Sequence, residues 1–73
     1  MNEHMARLGA KLDDAKFIWH KIHETNERLS KFYVPSYKIA GISIEDRLEM
    51  SKKNIERIEA CQEHYRRLIQ NPR

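Results

Sequence analysis

The sequence predicts an all-α protein: an antiparallel hairpin of two long helices with a coiled-coil-like seam, dimerising into a four-helix bundle. Three observations predict it. Apolar residues recur by alternating steps of three and four in two separate stretches, a short segment holding Pro35 and Gly41 divides them, and the other positions carry charges of both signs at helical spacing. A 3.5-residue repeat sustained over several heptads marks helices that pack along a seam.

In the first stretch the repeat is carried by Met5, Leu8, Leu12, Ala15, Trp19, Ile22, Asn26, Leu29 and Tyr33. It predicts a helix over about residues 2–33. Asn2 is a good N-cap, and Glu3 puts an acid in the first turn, where the helix dipole favours it. Gly9 costs about 1 kcal/mol relative to alanine. The segment before it is therefore expected to fray, with Asp13 as a second possible start. Pro35 ends the helix, because its ring drives Val34 out of the α region.

The connection, residues 34–42, is too short for a domain linker, so residues 1–73 read as one domain. The second helix, over about residues 43–70, carries Ile44, Leu48, Ser51, Ile55, Ile58, Gln62, Tyr65 and Ile69 at its seam. Ser43 and Asp46, three apart, have the spacing of a capping box in its looser form. Arg66 and Arg67 near the end, followed by Asn71 and Pro72, mark the stop.

Run antiparallel, residues whose numbers sum to 77 face one another. Leu29 meets Leu48, Ile22 meets Ile55, Trp19 meets Ile58, Leu12 meets Tyr65 and Leu8 meets Ile69. Ala15 faces Gln62. The polar exceptions also coincide, Asn26 against Ser51, and a single polar layer lowers stability but penalises slipped registers. The two flanks differ. On one, Lys16 lies near Glu59 and His23 near Lys52. On the other, Ile18, Thr25 and Phe32 adjoin Asn54, Cys61 and Leu68, and one hairpin cannot enclose that stripe by itself. Ordering a chain of this length costs on the order of 100 kcal/mol, which a single seam is not expected to offset. A second copy is the simplest cover, making Ile18, Thr25, Phe32, Cys61 and Leu68 the expected dimer interface.

The chain has 73 residues and one cysteine, Cys61, so an intramolecular disulfide is excluded and a reducing compartment fits. No charged-then-apolar leader opens it, and no signal peptide is expected. Apolar runs such as Phe17, Ile18 and Trp19 fall far short of the roughly 20 residues a membrane span needs. A cytoplasmic protein is the expectation. Net charge is +3, but acids and bases interleave, as in Glu24 with Arg28, Glu27 with Lys31, Glu49 with Lys53 and Glu63 with Arg67. Such pairs support an exposed helix face rather than a segregated phosphate-binding stripe.

Nothing in the sequence points to catalysis or to a cofactor. Zinc accepts His and Cys ligands, but His20 with His23 and Cys61 with His64 form two clusters that do not converge in this register. A di-iron bundle needs inward Glu-x-x-His pairs, and the seam holds no glutamate. Cys61 reads as a half-buried thiol without an activating partner. Asp13, Asp14, Glu45 and Asp46 are accounted for by capping and solubility. Gly9 and Gly41 stand alone, so there is no glycine-rich phosphate loop.

What remains is surface. Tyr33, Val34, Tyr37, Ile39 and Ile42 make the connection more apolar than a solvated turn. Capping of the bundle end, with tyrosine hydroxyls reaching water, is the weightier reading; a recognition surface is the functional one. Phe17, outward on the first helix, is a second exposed aromatic. The function expected is a small non-enzymatic interaction module that regulates or adapts a protein partner through Phe17, Tyr33, Tyr37, Ile39 and Ile42. The alternative is a nucleic-acid-binding bundle using Arg7, Lys11, Arg66 and Arg67 at the open end, where Arg73 also lies, although Glu3, Asp13, Asp14 and Glu63 share that end.

Overall fold

The computed structural model describes residues 3–70, so the N-cap expected at Asn2, the stop signals Asn71 and Pro72, and Arg73 lie outside the described residues. The elements in order are α1 (Glu3–Phe32), β1 (Lys38–Ile39), β2 (Ile42–Ser43) and α2 (Ile44–Gln70). The helices run antiparallel as one rod, 50 × 19 × 16 Å, and pack on each other along most of their length. The all-α hairpin is what the twofold heptad pattern dictates.

One feature of α1 departs from expectation: the helix runs without a break from Glu3 through Gly9 and Asp13. The cause lies on the other helix, where the Tyr65 ring packs against Gly9 and its hydroxyl donates to the Met5 carbonyl at 2.6 Å. At the other end α1 stops where Pro35 requires. The Tyr33 amide makes the last helical bond, to Leu29 O at 3.0 Å, and Val34–Tyr37 close a turn in which Tyr37 N donates to Val34 O at 3.0 Å.

The connection is not the plain loop that the sequence suggests. It holds a two-stranded antiparallel hairpin pairing Lys38 with Ser43 and Ile39 with Ile42. Ala40 and Gly41 turn it, with φ of 52° and 80°, since a two-residue hairpin of the primed type needs positive φ at both central positions. Strands of two residues lie below any readable period, and alanine is not a residue that announces a left-handed turn.

The connection also starts α2. Ile44 N donates to Tyr37 O at 2.9 Å, Glu45 N to Pro35 O at 3.0 Å, and Asp46 N to Ser43 Oγ at 3.1 Å. Three orphan amides of the first turn are thereby satisfied, the third by the Ser43 cap that the spacing predicts. Among the described residues the buried set is small: Ile44, Ile55, Asn26 and Ser51. The core thus sits in the loop-proximal half of the rod, and towards the open end the seam residues Leu8 and Ile69 remain partly in water.

Candidate functional site

The register is fixed by polar groups. Asn26 Nδ2 donates to Ser51 Oγ at 3.2 Å and to the Arg47 carbonyl at 3.0 Å, while Ser51 Oγ lies 3.0 Å from Arg47 O and 3.1 Å from Leu48 O. The Asn26–Ser51 layer expected from the register is therefore present, with Ser51 wholly buried. His23 joins it: its Nδ1 and Ser51 Oγ share a hydrogen bond of 2.6 Å, and its Nε2 lies 3.8 Å from Glu27 Oε1. Sequence reasoning placed His23 on the wet flank beside Lys52. The structure makes it half-buried, because Ser51 is short enough to let the imidazole reach the seam.

On that same flank Lys16 Nζ pairs with Glu59 Oε2 at 3.5 Å, as expected. Gln62 Nε2 donates to Asp13 Oδ1 at 2.8 Å. Phe17 projects outward, 65% exposed, with Lys21 Nζ 5.5 Å from its ring centre. The ammonium screens one face of the ring and leaves most of it in water.

The opposite flank is apolar. Ile18 is 54% exposed, Phe32 81% and Leu68 47%, and Thr25 and Cys61 are exposed as well. Cys61 is a free thiol, exposed on the single chain. Near the open end this flank forms a groove of about 380 Å³ lined chiefly by Leu8, Leu12, Cys61, Tyr65 and Leu68. Near the loop it is partly closed. Arg47, seven residues before Asn54, donates through Nη2 to the Ile39 carbonyl, and its Nε is buried without a partner among the described residues. Arg47 therefore clips the β-hairpin to α2, a role that sequence reasoning missed because a lone arginine in a charged helix gives no signal.

At the loop end the Tyr33 and Tyr37 rings stack, centroids 4.6 Å apart and planes 16° from parallel. Both remain substantially exposed, and Val34 beside them more so. Ile39 and Ile42, paired across the hairpin, are only partly exposed. Of the five residues expected to meet a partner, Tyr33 and Tyr37 form one stacked pair, Ile39 and Ile42 one cross-strand pair, and Phe17 stands apart.

The basic open end is internally compensated. Arg7 Nη2 pairs with Glu3 Oε1 at 2.5 Å, Arg66 Nη1 with Glu63 Oε2 at 2.8 Å, and Arg67 Nε with Glu63 Oε1 at 3.5 Å. Lys11 has no such partner among the described residues. Those residues hold no group of three or more His, Cys, Asp or Glu placed to bind a metal ion, and no helix long and apolar enough to cross a membrane. Compared with known proteins, the chain matches no family model, no curated protein and no solved structure.

Proposed function

We propose that this chain is a small non-enzymatic interaction module that regulates or adapts a protein partner, and that two copies associate along the apolar flank into a four-helix bundle. One observation carries the reading: large apolar side chains at the loop end and on that flank face water, while among the described residues the buried set is only four. Exposed apolar surface on this scale in a small chain marks a place of contact. The stacked Tyr33–Tyr37 pair and Phe17 have the character of interface anchors, large and rigid with a polar tip or rim. A single cysteine, Cys61, with no partner in the chain for a disulfide, suits the cytoplasm, where thiols stay reduced.

Nucleic-acid binding at Arg7, Lys11, Arg66 and Arg67 draws less support, since three of the four charges already face a glutamate.

The test is comparative capture from source-cell extract. The native chain should retain a protein that Tyr33→Ala/Tyr37→Ala or Phe17→Ala loses and that Arg66→Glu/Arg67→Glu keeps. Salt-sensitive retention of nucleic acid, abolished by the arginine changes alone, would contradict the reading.

A further inference from the structure

We infer that the occupant of the apolar flank is a second copy of this chain lying antiparallel to the first, with Phe32 of each copy seated in the open-end groove of the other. The inference rests on the proposed association along that flank and adds its geometry. Area comes first. A compact chain of 8.8 kDa exposes about 4,800 Å², whereas this one exposes 5971 Å². The excess, on the order of 1,200 Å², exceeds the roughly 800 Å² per partner that a standard interface removes. A standard interface with a second copy would remove about two thirds of that excess.

Shape decides the orientation. Ile18, Thr25 and Phe32 recur at intervals of seven along α1, and Arg47, Asn54, Cys61 and Leu68 do so along α2. The ion pair Lys16–Glu59 marks the opposite flank, so both sets lie on one side of the seam. On that side Phe32, the most exposed large apolar residue described, stands at the loop end, and the groove of about 380 Å³ lies at the open end. Phe32 and Leu12, at the level of the groove, are 20 residues apart in α1, about 30 Å at 1.5 Å per residue. A two-fold axis perpendicular to the rod and midway between them brings each Phe32 to the other copy's groove at once, an isologous contact. Parallel copies would hold both Phe32 side chains at the loop end and leave both grooves empty, and unfilled apolar space is destabilising. Lys11 stays at the rim, where its ammonium remains in water.

The test uses full-length chains carrying Cys61→Ala, one isotopically labelled with Phe32→Cys, the other unlabelled with Leu68→Cys. They are mixed, treated with a short bis-maleimide and analysed by mass spectrometry. The antiparallel arrangement gives the mixed product in excess over both homodimers. Predominant linkage of Phe32→Cys to itself would overturn the orientation while leaving the association standing. Monomeric mass of the native chain at every concentration would overturn both. Independently, Phe32→Ala should raise the dimer dissociation constant by about 30-fold or more with helix content unchanged, whereas Glu59→Ala, on the opposite flank, should not; equal effects would contradict the seating of Phe32.

Discussion

Tyr65 packs against Gly9: a Cβ added to that glycine would sit 2.7 Å from the tyrosine hydroxyl oxygen and 2.9 Å from two ring carbons. The residue that is poorest for the helix locally is thus the one that lets the two helices close at their open end. The same ring sends its hydroxyl to the Met5 carbonyl, tying the first turns of α1 to α2.

Gly9→Ala, which in an isolated helix stabilises by about 1 kcal/mol, should therefore destabilise this protein, because the ring must move and give up its hydrogen bond. In a Tyr65→Leu background the same change should stabilise. Thermal denaturation of the four chains checks the reversal of sign; a higher Tm for Gly9→Ala alone would show that Tyr65 does not pack as described.

The polar layer makes a second prediction. Asn26→Ala removes two hydrogen bonds from a buried site, those to Ser51 Oγ and to the Arg47 carbonyl. A loss of about 1–3 kcal/mol is expected in urea unfolding. Replacing both partners, as Asn26→Leu/Ser51→Ala, should recover part of that loss and broaden the dispersion of NMR signals into several states, because the seam then has nothing to penalise a slipped register.

Ala40 holds a φ of 52°, a conformation that costs a side-chain-bearing residue about 1–2 kcal/mol. Ala40→Gly should raise stability by up to about 1 kcal/mol after the greater entropy of glycine in the unfolded chain is offset. A fall in Tm would mean that the hairpin turn is not formed in solution.

Seam and flank should respond differently to charge. Ile58→Asp puts a carboxylate in the middle of the seam and should abolish most of the helical circular dichroism. Leu68→Glu, on the exposed flank, should keep the helix content and prevent association. An unchanged spectrum for the first variant would contradict the seam, and retained association for the second would contradict the interface.

The long elements were legible because their signal is periodic. Leu29, Ile22 and Trp19 on one side and Leu48, Ile55 and Ile58 on the other fall at intervals of three and four, and a register consistent for apolar residues also aligned Asn26 with Ser51. The connection was not legible in the same way: Lys38–Ile39 and Ile42–Ser43 are too short to show alternation, and Ala40 hides the turn. Arg47 and His23 were missed for another reason. Both are polar side chains whose role depends on a neighbour distant in sequence, Ile39 O across the hairpin and Ser51 across the seam, and no local pattern records that neighbour. Gly9 was legible as a weak point but not as a contact, since the residue that requires it is 56 positions away.

The central claim is that the apolar flank is covered by a second copy of the chain. Light scattering on a size-exclusion column, repeated over a dilution series, tests it most directly. The account predicts twice the 8.8 kDa chain mass at high concentration, with dissociation on dilution accompanied by exposure of Phe32 and Leu68. A single-chain mass at every concentration, with full helix content, would contradict it.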